Sequence, residues 1–391
     1  MERWTLGGPE PYAVPLPGGR PERPDSQVLP LGDGRVLIGR RTADRHDLVL
    51  LHPTGPGTGE VAAGSLTGAE VRLLPPSPAP DTAFALVHDE GATTIWQIHG
   101  QGGDGSPVPV MTVEGRCTGG VWLDRAGRLL ALDRELDGRT KAVAADLRTG
   151  ETSPLLQLTE DSDDRLLLAE PDSGLLMLRS DASGEARIGW GVLGSRLPVR
   201  FPDALRVPGV LLTPLAAQPG QILAAARTVV ALRAEVPGGA ESLALWRPGE
   251  GRLHWRATPR GWLGPAALWL RGRELRLPYA VPDWPCGLIG YDAPAPAEEA
   301  GEGVPVDEGD APAVAAPVAA PATVSIAPAS IVVPAPRAPS SSALADGAGR
   351  CSAPLLGREP AAQRPGGARP ARRRLAVIPL QEAPLTPAQA G

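Results

Sequence analysis

Six short apolar strands recur along this chain at nearly constant spacing. They are VLIGR (Val36–Arg40), AFALV (Ala83–Val87), LLALD (Leu129–Asp133), LLMLR (Leu175–Arg179), VVALR (Val229–Arg233) and ELRLP (Glu274–Pro278), with starts 47, 46, 46, 54 and 45 residues apart. Each is followed 11 to 13 residues later by a second apolar strand, the followers beginning at Leu48, Thr94, Ala142, Arg187, Ser242 and Cys286. A fixed period of this size marks a chain made of stacked, similar units. Unit three shows four strand candidates joined by tight turns: GGVWLD, RLLALDREL, KAVAADL and TSPLLQL, separated by RAG, DGRT and RTGE. Such a run reads as a meander of hairpins. The inner strands are apolar at successive positions rather than alternating, so both their faces must be covered.

Four strands per unit, with inner strands dry on both sides, predict an all-β propeller of six four-stranded, WD40-like blades. Seven blades is the alternative, if the N-terminal pieces WTLGG and YAVPL join RLAVIPL near the C-terminus. Gly and Pro, 48 and 46 of 391 residues, interrupt the chain too often for long helices. The stretched fourth interval coincides with LAAQPGQILAAA, which reads as a loop insertion.

Residues 1–293 are expected to form the propeller. Residues 294–373 are Ala/Pro-rich, with an acidic start and a basic end, and are expected to be a disordered linker or tail. A short strand-like segment follows at 374–391. Net charge is −6, which argues against nucleic-acid binding. No signal peptide is visible and no run reaches the ~18 apolar residues of a membrane helix, so the expectation is a cytoplasmic protein with no membrane partner. Cys117, Cys286 and Cys351 have neither metal-ligand nor disulfide-framework spacing.

The hairpins of GRLLALDRELDGRTKAVAADLRTGET resemble the propellers of TolB-like proteins and the N-terminal propellers of prolyl-oligopeptidase-family serine peptidases, across about residues 26–292. In the peptidases this resemblance implies a catalytic α/β-hydrolase domain after the propeller. Nothing beyond Asp292 looks like one, so no catalytic residue carries over.

The residues themselves point the same way. There is no G-x-S-x-G elbow and no histidine after His254. The acidic run Glu160–Asp164 lacks calcium-loop spacing and reads as a solvated turn. GQGGDGS has no G-K-[ST], which excludes a phosphate loop. No cofactor or metal is expected. One repeated polar position remains. The fifth residue of the six strands is Arg40, Val87, Asp133, Arg179, Arg233 and Pro278. Rotational repetition would carry Arg40, Arg179 and Arg233 to one tunnel mouth, where guanidiniums could hold an anionic ligand or a partner's carboxylates. Asp44, Asp181 and Glu235 are the candidate neutralising residues. Trp96, Trp122, Trp190, Trp246 and Trp269 are expected between blades, with Trp255, Trp262 and Trp284 nearer the surface. The functional expectation is a non-catalytic binding or scaffold propeller with a protein or peptide partner. The competing one is the propeller part of a peptidase whose hydrolase domain is lost or lies on another chain.

Overall fold

The computed structural model describes residues 2–5, 12–15, 22–54, 57–100, 105–239, 241–264, 266–270, 274–296, 374–376 and 378–379. The expectation of disorder over 294–373 falls almost wholly outside them. Two N-terminal strands, β1 (Glu2–Thr5) and β2 (Tyr12–Pro15), precede the blades. Blade one holds β3 (Gln27–Pro30), β4 (Val36–Arg41), β5 (His46–Thr54) and β6 (Gly57–Leu66). Blade two holds β7 (Glu70–Leu73), β8 (Ala83–Asp89), β9 (Ala92–His99) and β10 (Val108–Glu114). Blade three holds β11 (Arg116–Trp122), β12 (Leu129–Leu136), β13 (Arg139–Asp146) and β14 (Glu151–Leu156). Blade four has three strands, β15 (Asp164–Glu170), β16 (Leu175–Ser180) and β17 (Arg187–Val192). Blade five holds β18 (Leu211–Ala217), β19 (Val230–Glu235), β20 (Ser242–Trp246) and β21 (Leu253–Ala257). Blade six holds β22 (Leu268–Trp269), β23 (Glu274–Val281), β24 (Trp284–Asp292) and, from far along the chain, β25 (Arg374–Ala376).

These six antiparallel sheets form a six-bladed β-propeller. The first strands of successive blades touch one another: β3 meets β7, β11 meets β15, β15 meets β18, and β18 meets β22. A further three-stranded sheet joins β1 and β2 to β26 (Ile378–Pro379), which runs parallel to β2. Of the pieces that would make a seventh blade, WTLGG and YAVPL pair with each other and with the end of RLAVIPL, whose first residues complete blade six instead, so the propeller has six blades.

Local chemistry explains the hairpins. Glu90-Gly91 and Asp137-Gly138 have positive φ at both residues, +46/+81 and +51/+73. That is the turn whose twist matches the flanking strands, and the second position is glycine because glycine enters this region without strain. The second strands β8, β12, β16 and β19 are buried at nearly every position of their apolar runs. Fully covering one such leucine stabilises the fold by roughly 1.5–3 kcal/mol.

The core is therefore a set of layers between blades. Leu37, Leu48 and Leu50 of blade one pack with Val71, Leu73 and Ala85 of blade two. Leu175, Met177 and Ile188 of blade four pack with Leu212, Leu232 and Trp246 of blade five. The tryptophans staple these layers. Trp122 lies 5.4 Å from Phe84 of the preceding blade, and Trp190 lies 6.4 Å edge-on from Trp246 of the next. Trp269 Nε1 donates to the Ala216 carbonyl at 3.3 Å. Trp255 and Trp284 are exposed and Trp262 is half-buried. The inserted loop after β18 is held by Asp172, which accepts from the Gly220 amide through its side chain and from the Leu223 amide through its carbonyl.

The run Glu160–Asp164 departs from the solvated turn expected of it. Glu160 and Asp161 are exposed, but Ser162 and Asp164 are buried. Asp164 accepts from the Leu158 amide, the Ser162 and Ser180 hydroxyls, and Lys141 Nζ at 3.0 Å. Lys141, the only lysine of the chain, also donates to the carbonyls of Thr159 and Ser162. The ammonium has taken the centre of the acidic loop and pins blade three to blade four.

Candidate functional site

The backbone register tests whether the repeated position is structurally equivalent. Arg179 pairs with Arg165 and Leu178 with Leu166, just before a bulge in β15. Arg233 pairs with Thr213 and Leu232 with Pro214, just before a bulge in β18. Asp133 pairs with Thr118, again next to a bulge, in β11. Asp133, Arg179 and Arg233 therefore hold matching places in their blades. Arg179 shares its strand face with Leu175 and Met177, which pack toward blade five, and Arg233 shares its face with Val229 and Ala231, which pack toward blade six. Arg40 lies on the face of Val36 and Ile38, whereas Leu37 is the residue packed toward blade two. Successive strand residues point to opposite faces, so Arg40 sits on the opposite face of its blade from the other two. Among the described residues no hydrogen bond or ion pair links any two of the three arginines.

Their electrostatic situations differ sharply. Arg40 is clamped by Glu22 and Glu60, both at 2.7 Å. Arg233 is paired with Glu235 at 2.9 Å and with Glu241. Of the anticipated neutralising residues, Glu235 serves as expected, Glu22 and Glu60 stand where Asp44 was anticipated, and Asp181 accepts instead from the Asp163 amide. The side chain of Arg179 makes no hydrogen bond or ion pair with any described residue. Burial, and then the Arg165 guanidinium across the strand pair, pull its pKa below the ordinary value. Like charges directly opposite in a sheet repel. Arg165 itself donates to Thr140 Oγ1 at 2.8 Å.

Arg179 lines a cavity of about 300 Å³ between blades four and five. The missing fourth strand of blade four creates it. Pro198 and Pro202 fall where that strand would run, and proline cannot donate to a ladder. Only one bridge survives, Trp190 to Arg200. The chain then turns away through a short 3-10 turn at Asp203–Leu205, which brings Leu205, Arg206 and Val207 over the cavity. Ile188, Val210, Leu211 and Leu212 form the rest of the apolar wall. Two further arginines border it, both occupied: Arg187 by Asp203 at 2.8 Å and Arg206 by Glu185 at 2.8 Å.

The equivalent carboxylate in blade three is used differently. Asp133 accepts from the Leu166 amide of blade four at 2.9 Å. Burial pushes its pKa up to about 7, against the opposing pull of that hydrogen bond, Arg165 and Arg72. Cys117 is a buried free thiol, with its pKa raised to about 11 by burial. Among the described residues no group of three or more His, Cys, Asp or Glu side chains is placed to hold a metal ion. No helix among them is long and apolar enough to cross a membrane.

Arg179 stands at a position that the sequence marks as repeated and that has matching register in Arg233. The cavity beside Arg179 was not anticipated, although Pro198 and Pro202, which interrupt the strand, stand in plain view in LPVRFPDALRVP.

No protein-family model matches the chain, and no curated protein sequence does. Among solved structures it is similar to TolB from Acinetobacter baumannii, with 13% identity and a TM-score of 0.42 over 68% of this chain and 60% of that one. A putative TolB from Agrobacterium tumefaciens matches at 14% identity and a TM-score of 0.40, over 59% of this chain and 79% of that one. Prolyl oligopeptidase B from Galerina marginata matches at 10% identity and a TM-score of 0.43, over 70% of this chain and 40% of that one. The chain thus spans 60% of the length of the first of these. These likenesses concern the propeller fold alone.

Proposed function

We propose that this protein is a non-catalytic binding propeller which takes an anionic group of a protein or peptide partner at Arg179. One observation carries the reading. Arg179 is the arginine of the repeated position that has no described partner, and it borders a cavity rather than an acidic neighbour. A guanidinium that is partly desolvated and opposed by a second guanidinium gains most from an incoming anion, because Coulombic attraction strengthens where water is displaced. Arg40 and Arg233 are already neutralised and contribute no free charge of this kind.

The test is a titration with acetate at constant ionic strength, read by thermal unfolding. Wild type is expected to rise in Tm through preferential binding to the folded state, and Arg179→Met, which keeps the bulk of the side chain, is expected not to respond. Equal responses would refute the assignment. A fluorophosphonate probe is expected to label no serine; covalent capture of a single serine would instead favour the peptidase reading.

A further inference from the structure

Resting on the reading of Arg179 as an anion site, we infer that the cavity between blades four and five selects a monocarboxylate on a branched aliphatic body. The charge balance sets the first half of this. Three guanidiniums border the cavity, Arg179, Arg187 and Arg206, and two carboxylates, Asp203 and Glu185, hold the latter two. Of the lining guanidiniums only Arg179 is left without a carboxylate, with Arg165 adding positive charge behind it, so one incoming carboxylate completes the pairing. A planar guanidinium also matches a carboxylate as a two-pronged acceptor.

The walls set the second half. Ile188, Leu205 and Leu212 are buried, and Val210 and Leu211 complete an apolar surface beside the arginine. About 300 Å³ is at the small end of ligand cavities, which suits a compact body rather than a long chain or a nucleotide. Two sources supply this chemistry: a free branched-chain acid, or the C-terminus of a peptide ending in leucine, isoleucine or valine.

Calorimetric titration of the full chain with 4-methylpentanoate, acetate, 4-methylpentanamide and inorganic phosphate tests the inference. 4-Methylpentanoate is expected to bind about ten-fold or more tighter than acetate, from the methylenes it buries. The amide and phosphate are expected to bind far more weakly than the acid. Arg179→Met should abolish binding of the acid. Leu211→Ser, at an exposed wall position where folding is not at stake, should weaken 4-methylpentanoate more than it weakens acetate. N-acetyl-Ala-Leu with a free carboxylate, set against its amide, separates the sources: tighter binding than 4-methylpentanoate identifies a peptide terminus, and weaker binding a free acid. If acetate binds through Arg179 but 4-methylpentanoate gains nothing over it, the aliphatic selectivity is wrong and the anion site stands. If neither acid binds, both readings fall.

Discussion

Replacing Lys141 with methionine should cost the protein about 3–5 kcal/mol. The side chain of Lys141 is 14% exposed and that of Asp164 is 0% exposed, so the ion pair sits where water cannot take over either charge. Methionine fills the volume of the lysine stem but leaves the Asp164 carboxylate facing only the Leu158 amide and the hydroxyls of Ser162 and Ser180. An uncompensated buried charge of this kind typically costs roughly 3–5 kcal/mol. The Thr159 and Ser162 carbonyls lose their donor as well. In a body of this size each kcal/mol lowers Tm by roughly 2 °C, giving a fall of about 6–10 °C. Pairing the change with Asp164→Asn isolates the electrostatic part. The asparagine keeps an acceptor for the Leu158 amide but carries no charge to strand, so the double variant should be clearly more stable than the sum of the singles implies. Urea unfolding of the four proteins provides the cycle. A Lys141→Met variant within 1 kcal/mol of the parent, or strict additivity of the two changes, would refute the account. Lys141→Arg should not rescue, because the acceptors converge on one nitrogen and a guanidinium spreads its donors over three.

Three further outcomes are expected. Burial raises the folded pKa of Asp133 to about 7, well above the ordinary carboxylate range, so its contribution to stability is full below the unfolded value and is lost as pH rises through the folded one; the Tm of Asp133→Asn relative to wild type should climb between pH 4 and pH 7, and a flat difference would contradict the burial argument. Leu223 is 90% exposed at φ +52, so Leu223→Gly should stabilise the protein by about 1 kcal/mol in chemical denaturation, since the leucine pays left-handed strain for little packing. A Cβ at Gly261 would meet the Ala280 carbonyl at 2.0 Å, whereas one at Gly138 would meet nothing within 4 Å; Gly261→Ala should therefore destabilise markedly more than Gly138→Ala, which costs only its backbone strain of about 1 kcal/mol.

What was legible in the sequence was whatever burial writes locally. LLAL, LLML and VVAL are uninterrupted apolar runs because both faces of β12, β16 and β19 are covered, and that pattern, repeated at a constant interval, is the propeller. What was not legible required two units at once. VLIGR and LLMLR look alike as strings, yet Arg40 shares a face with Ile38 and Arg179 with Met177, which are packed toward opposite sides of their blades. A single residue of register separates these outcomes, and composition does not record it. The partnership of Lys141 and Asp164 spans 23 positions and two blades. Pro198 and Pro202 announced an interruption, but that it opens a cavity beside an unpaired arginine depends on the neighbouring sheet.

The fourth strand of blade six is drawn from residues 374–376, while its third strand ends at Asp292. Synthesis therefore leaves β24 as a bare edge until residues 374–376 emerge, and β2 finds β26 only across some 366 positions of chain. An open edge offers its unpaired amides and carbonyls to any extended segment, including the same edge of another copy. On β24 the residues β25 would cover include Leu288 and Ile289. A chain ending before Arg374 would keep five blades intact and expose this strand on the sixth. Pairing with β25 covers this edge of the sixth sheet.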